Sequence, residues 1–120
     1  YKTYEKEFEH LINFGVKLQN LKNTTSSNYS SFYVLTNNLN ERNQLIKFLK
    51  ENQITSQFHY VNLHDSPMGK KVTKTKKLNI SESVSSRVVR LPIYPDLKKW
   101  EIDKIVSFVN SFYQFKNQNI

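Results

Sequence analysis

The residues best suited to chemistry in this sequence are two histidines and a tyrosine near its middle, His59, Tyr60 and His64. An imidazole donates or accepts a hydrogen bond and changes charge near neutral pH, and a tyrosine adds a ring and a hydroxyl. Such groups suit a sugar or a phosphate, and they lie where a predicted strand gives way to a loop. From spacing alone, ordinary sheet and surface residues remain the other open interpretation.

These histidines match no strong metal-binding motif. His59 and His64 would need a third ligand, for which the clear candidates are Asp65 and His10. The sequence has no cysteine, which excludes disulfides, thiolate metal sites and cysteine nucleophiles. It also has no glycine-rich phosphate loop and no nucleophile elbow. The sequence therefore predicts no metal site and no catalytic residue of its own.

The net charge of +8 allows an anionic partner, but its distribution favours a plainer interpretation. Much of the excess lies in one short segment, with lysines at positions 70, 71, 74, 76 and 77. No aromatic residues alternate with these lysines and no RNA-binding signature is present, so a solvated basic loop is favoured. A free-standing basic module that binds nucleic acid or another anion remains the alternative.

Length and hydropathy restrict the class of protein further. A chain of 120 residues is enough for one domain. No apolar run approaches the roughly 20 residues that span a bilayer, and the charged N-terminus has no apolar signal core. These features predict no membrane segment and a cytoplasmic protein.

The elements that must position the candidate residues can be predicted from hydrophobic periodicity. Strands, which are rich in branched and aromatic residues, are predicted at 16–21, 32–35, 54–60 and 88–91. Helices are predicted at 1–12, with Gly15 as the stop, at 41–52, at 81–87 with Ser81 as the cap, and over 102–113. Residues 61–79 are predicted to be irregular. This order predicts a two-layer α+β domain, with a small sheet covered by helices mainly on one face.

Taken in order, these segments resemble the sugar aminotransferases of the DegT/DnrJ/EryC1/StrS family. The pattern "HY.pLH..p" of that family matches Phe58-His59-Tyr60, Leu63-His64 and Pro67. The other matching segments are 1–8, which resembles the end of an interdomain helix, 32–35, 41–54 and 81–93. The order and spacing of the segments across nearly the whole chain are more specific than any single one.

The resemblance implies a C-terminal small domain, residues 1–120, of a fold-type I aminotransferase with a mostly antiparallel sheet. It implies pyridoxal phosphate as the cofactor, bound by a large domain absent from this sequence, so that the fragment alone is inactive. The nearest branch transfers an amino group from glutamate to a nucleotide-linked 4-keto-6-deoxy sugar, for polysaccharide or lipopolysaccharide synthesis. By this resemblance His59, Tyr60 and His64 bind substrate, and the intact enzyme is a homodimer while the fragment is a monomer.

Two positions depart from the pattern of the family. Asn62 stands where the family usually has proline, which predicts a less rigid loop. Lys98 stands where a serine or threonine usually caps the last helix. The absence of that capping side chain costs about 1 kcal/mol of helix stability. Glu101 can still favour the positive end of that helix.

Overall fold

The computed structural model of the chain describes residues 1–19, 25–59, 61–72 and 78–118. The helices in these ranges are α1 (Lys2–Phe8), α2 (Leu39–Glu51), α3 (Pro67–Val72), α4 (Asn79–Ser85) and α5 (Lys99–Gln118). The strands are β1 (Lys17–Leu18), β2 (Phe32–Leu35) and β3 (Val88–Leu91). Two 3-10 turns cover Glu9–Phe14 and Leu63–Asp65.

The sheet has β2 at its centre, antiparallel to both β1 and β3. The register places Phe32 opposite Leu91 and Val34 opposite Val89, and all four side chains are buried. Tyr33, which points to the other face, is only half-buried. Because side chains alternate along a strand, one face of the sheet forms the core that the helices cover. The predicted α+β class, with a small antiparallel sheet, is confirmed.

The helices fill this core with the apolar side chains that the periodicity identified. The buried helical residues are Tyr4 and Phe8 of α1, Leu45 and Leu49 of α2, and Ile105, Val109 and Tyr113 of α5. Each such side chain contributes about 1.5–3 kcal/mol when it leaves water completely. The predicted stripe of the last helix is therefore confirmed, and it packs against α1 and α2.

Gly15 ends the first helical segment, as predicted. Its φ is +80°, a left-handed conformation that favours glycine, and its amide donates to the carbonyl of Ile12 at 3.0 Å. A Cβ at this position would overlap the side chain of Asn37. Further along the chain, the Tyr4 hydroxyl donates to the carbonyl of Pro92 at 2.9 Å, which ties α1 to the end of β3.

A buried carboxylate on α2 binds side chains of α5. Glu41 is 1% exposed and accepts hydrogen bonds from the Asn37 side chain at 3.0 and 3.1 Å, from the Tyr113 hydroxyl at 3.1 Å, and from Lys116. Burial by itself would raise the pKa of Glu41, but the donors from Lys116 and Asn37 outweigh it and lower that pKa. The charged carboxylate therefore holds the C-terminal part of α5 against the start of α2.

The predicted strand at 54–60 is wrong over most of its length. A single bridge forms, in which Gln57 and Arg90 exchange two backbone hydrogen bonds of 3.2 and 2.7 Å. In an antiparallel ladder the next such pair would join Thr55 to Pro92, and proline has no amide hydrogen to donate. The ladder therefore does not continue towards Thr55. Phe58, on the other side of the bridge, has 46% of its surface exposed.

The interpretation of 61–79 as irregular is also wrong in the described part, which holds the turn Leu63–Asp65 and helix α3. Ser81 does not cap a helix, because α4 begins earlier, with Leu78 in the capping position. The Leu78 amide donates to the Glu82 carboxylate at 3.2 Å instead. At the start of α5 the Lys98 amide donates in the same way to the Glu101 carboxylate, at 2.7 Å. This hydrogen bond compensates for the missing serine or threonine cap.

The basic segment is described in part. Lys70 and Lys71 are exposed on α3, whereas the lysines at 74, 76 and 77 lie outside the described residues. The solvated-loop interpretation and the nucleic-acid alternative therefore stay predictions. Among the described residues, no helix is both long and apolar enough to cross a membrane.

Candidate functional site

A tight turn places His64 at the surface of the domain. The carbonyl of Asn62 accepts from the amides of Asp65 and Ser66 at 2.9 and 3.1 Å, which closes the 3-10 turn around His64. The Ser66 hydroxyl donates to the carbonyl of Leu63 at 2.7 Å and accepts from the Gly69 amide at 2.9 Å. Serine thus fixes both the end of the turn and the start of α3.

Gly69 lets α3 fold back on this turn. It is buried although it belongs to a short surface helix, and a Cβ at this position would overlap the carbonyl oxygen of Leu63. Only glycine therefore allows the two backbones to approach so closely. Gly69 keeps the turn, and with it His64, in one place.

The imidazole of His64 faces two carboxylates. Its Nε2 atom lies 3.4 Å from Oε1 of Glu82 on α4 and 3.5 Å from Oδ2 of Asp65 in the same turn. The His64 side chain is 15% exposed, and Nε2 itself is buried without a hydrogen-bond partner. The packing of the turn Leu63–Asp65 beside α4 thus brings His64 close to Glu82, which is 18 positions away in the sequence.

Two further contacts join this turn to the rest of the domain. The side chain of Asn62 donates to the Ser85 hydroxyl at 2.9 Å, so the residue that replaces the usual proline holds the turn against α4. The guanidinium of Arg42 donates to the Ser85 carbonyl at 3.1 Å and lies 5.3 Å from the centre of the Phe58 ring. The loop predicted to be less rigid is therefore tied at its first residue.

A shallow cavity of about 240 Å³ lies beside these contacts. Its walls include Arg42, Phe58, Asn62 and Asp65, so a cation, an aromatic ring, an amide and a carboxylate converge there. This mixture can hydrogen-bond and stack on a small polar ring such as a sugar.

The three predicted substrate-binding residues have different outcomes. His64 lies beside this cavity, next to its lining residue Asp65, and is largely buried. His59 is exposed and does not belong to the cluster of His64, Asp65 and Glu82. Tyr60 lies outside the described residues.

Sequence reasoning assigned no role to Glu82 or Arg42. Both fall in segments that match the family pattern, and that match was the one indication in the sequence that they could be functional. Their proximity to His64 and Phe58 depends on how α2, α4 and the turn pack together. No short spacing rule contains that information.

A larger cavity, of about 600 Å³, opens between the end of β3 and the first turns of α5. Its walls include Arg90, Tyr94, Trp100 and Lys104. Neither His59 nor His64 lines it. Arg90 thus lies in this second cavity, away from the predicted substrate-binding histidines.

The part of this chain that the structure describes does not fit pyridoxal phosphate as a resident cofactor. A phosphate cup needs backbone amides that approach the phosphate closely, which glycine usually provides. The chain has two glycines, Gly15 and Gly69, and each is packed against the chain itself, at Asn37 and Leu63. Neither cavity has a glycine in its wall.

Comparison with known proteins identifies the family. A sequence model described as the DegT/DnrJ/EryC1/StrS aminotransferase family matches residues 1–110. The chain belongs to this family. The resemblance drawn from the motifs is thereby confirmed, and it extends over more than nine-tenths of the sequence.

Solved structures agree with the fold of this aminotransferase-family chain. A DegT/DnrJ/EryC1/StrS aminotransferase from Brucella abortus is 26% identical with a TM-score of 0.77, over 93% of this chain and 29% of that one. DesV from S. venezuelae is 23% identical with a TM-score of 0.80, over 93% and 30%. NtdA from Bacillus subtilis, solved with bound PMP, is 19% identical with a TM-score of 0.81, over 94% and 26%. The chain thus spans less than a third of the length of these structures.

Proposed function

We propose that this chain is the C-terminal small domain of a pyridoxal-phosphate-dependent aminotransferase. The supporting observation is the family match over residues 1–110, combined with coverage of less than a third of the similar structures. In this proposal residues 1–12 are the tail of an interdomain helix, and a large domain holds the cofactor. In the same proposal the chain alone is inactive, because its described residues form no cofactor site.

The proposed reaction transfers an amino group from glutamate to a nucleotide-linked 4-keto-6-deoxy sugar. The product would serve the synthesis of cell-surface polysaccharide or lipopolysaccharide. The intact enzyme would be a homodimer in the cytoplasm. Bound pyridoxal phosphate supplies the electron sink that such a transfer requires. The part of this chain is to bind and orient the substrate at the edge of the cleft.

The proposed binding residues are His59, Tyr60 and His64. In support, Phe58 and Asp65, which are the sequence neighbours of His59 and His64, line a cavity whose ring, cation and amide groups suit a sugar. We propose that the histidines hydrogen-bond either the hexose or the carboxylate of the amino donor. A hydrogen-bonded turn at the surface holds His64 in place, so it needs little reorganisation on binding.

The two half-reactions of the full-length protein separate these choices. We expect His64→Ala and His59→Ala each to slow the half-reaction whose substrate they contact by about tenfold or more, since a lost hydrogen bond costs at least about 1.4 kcal/mol in a desolvated site. A change in the glutamate half-reaction assigns the donor carboxylate, and a change in the keto-sugar half-reaction assigns the hexose.

His10→Ala is the matched control, because His10 is exposed on the first 3-10 turn and packs at the edge of the Phe14 ring. It should leave both half-reactions unchanged. If His59→Ala and His64→Ala also leave the turnover number and Michaelis constant of both half-reactions unchanged, the assignment is wrong.

A further inference from the structure

The structure assigns a divalent-cation site to His64, Asp65 and Glu82. Neither the family match nor the proposed amino transfer calls for a metal in this part of the chain. The ion that this set of donors fits best is Zn²⁺, held by one imidazole and two carboxylates.

Two of the distances between the donor atoms fit a coordination shell. Nε2 of His64 lies 3.4 Å from Oε1 of Glu82 and 3.5 Å from Oδ2 of Asp65, and one donor atom from each residue lies within 4.8 Å of the other two. Direct N–H···O hydrogen bonds cluster at 2.7–3.2 Å. Two ligands about 2.0–2.2 Å from one tetrahedral zinc ion lie about 3.3–3.5 Å apart. The spacing is therefore long for a hydrogen bond and right for two ligands of one ion.

The Nε2 atom of His64 also lacks a hydrogen-bond partner, although 15% of the side chain is exposed. This atom is itself inaccessible to solvent and sits beside two acceptors. A buried polar atom without a partner costs about 1–3 kcal/mol. A cation between the three side chains would satisfy this nitrogen.

The charges favour the same occupant. Asp65 and Glu82 place two carboxylate oxygens within 4.8 Å of each other beside His64, and a cation bound there would reduce the repulsion between these like charges. Glu82 is 29% exposed and Asp65 is 46% exposed, so an ion could reach the site and keep a water as its fourth ligand.

The sequence offered Asp65 or His10 as the third ligand beside His59 and His64, but it did not indicate Glu82. His59 and His64 were considered as a pair, whereas the structure replaces His59 with Glu82 from α4. An ion there would join the turn Leu63–Asp65 to α4. It would also occupy Nε2 of His64, so that a substrate could use only Nδ1.

The test is a calorimetric titration of the 120-residue chain with ZnCl₂, after treatment with a chelator and dialysis. We expect one site with a dissociation constant of about 10 μM or tighter. Glu82→Gln and Asp65→Asn keep the side-chain shape and should each weaken zinc binding at least about 10-fold. The loss of a residue that only hydrogen-bonds to a metal ligand already weakens metal binding about 10-fold or more, and the loss of a ligand should cost no less. Glu51→Gln, on an exposed carboxylate of α2, should bind zinc like the unchanged chain.

Circular dichroism of each variant shows that it is folded. If Glu82→Gln does not fold, Asp65→Asn and His64→Ala test the same site, because a ligand is lost in each. A wild-type chain that binds no zinc tighter than about 1 mM, or folded variants that bind as tightly as wild type, would overturn the proposal. The titration uses neither cofactor nor sugar, so its failure leaves the proposed amino transfer unaffected.

Discussion

The Tyr113 hydroxyl offers a measurable test of how α5 is held to the domain. Tyr113 is 2% exposed, and its hydroxyl donates to Oε1 of the buried Glu41 at 3.1 Å. Burial, followed by the neighbouring charge of Glu41, raises the pKa of Tyr113, so the hydroxyl stays protonated and donates over the whole range of stability measurements. Tyr113→Phe removes this donor and keeps the ring that packs in the core.

We expect Tyr113→Phe to lower the free energy of unfolding by about 1.5–2 kcal/mol at neutral pH. This is the lower part of the range for hydrogen bonds to charged groups, because Asn37 and Lys116 still donate to Glu41. For a domain of this size the loss corresponds to a fall in Tm of about 4 °C per kcal/mol, or about 6–8 °C in all.

The effect should depend on pH in one direction. Hydrogen-bond donors lower the pKa of Glu41 in the folded state. The charged carboxylate therefore contributes its full stability above the unfolded pKa of about 4.3, and this stability is lost as the pH falls through the folded pKa. Once the pH has fallen below the lowered folded pKa of Glu41, the difference should shrink towards that of a neutral hydrogen bond, about 0.5–1 kcal/mol.

Urea unfolding of the 120-residue chain, followed by circular dichroism at pH 7 and at a pH below the folded pKa of Glu41, measures both numbers. Tyr94→Phe is the matched control, because the Tyr94 hydroxyl lies 3.4 Å from Glu101 on an exposed surface and should contribute little. The reasoning fails if Tyr113→Phe unfolds like wild type at pH 7, or if its loss of stability is the same at both pH values.

Three further changes test the local geometry, each by urea unfolding. Gly69→Ala should destabilise by about 1–3 kcal/mol, because its Cβ would overlap the carbonyl of Leu63, and an unchanged midpoint would contradict this close approach. Gln53→Gly should stabilise by about 0.5–1 kcal/mol, because Gln53 has φ of +62° after α2, and any loss of stability would refute that. Asn62→Ala and Ser85→Ala should show a coupling of about 0.5–1.5 kcal/mol in a double-mutant cycle, and full additivity would mean that their hydrogen bond contributes nothing.

The sequence predicted most of the fold because most of it depends on local rules. The apolar stripe of α5 and the stop at Gly15 follow from helical periodicity and from the conformational freedom of glycine. The strand predicted at 54–60 does not extend from Gln57 towards Thr55 because Pro92 lies opposite Thr55, and alternation within one segment carries no information about the donors of its neighbour.

The candidate site could be predicted in part for a related reason. His64 was identified because histidine in a loop is chemically unusual, whereas Glu82 looks like an ordinary surface residue of a short helix. Glu41 is similar, since an acidic residue in the first turn of a helix is usually exposed. Its burial results from the last turns of α5, which bring Tyr113 and Lys116 from more than 70 positions away.

The central claim is best tested by the visible absorption spectrum of the full-length protein that contains this chain. The account predicts that bound pyridoxal phosphate gives a visible band, that glutamate removes it, and that a nucleotide-linked 4-keto-6-deoxy sugar restores it. A full-length protein that takes up no cofactor, or whose spectrum does not respond to glutamate and the keto sugar, would contradict the proposed amino transfer.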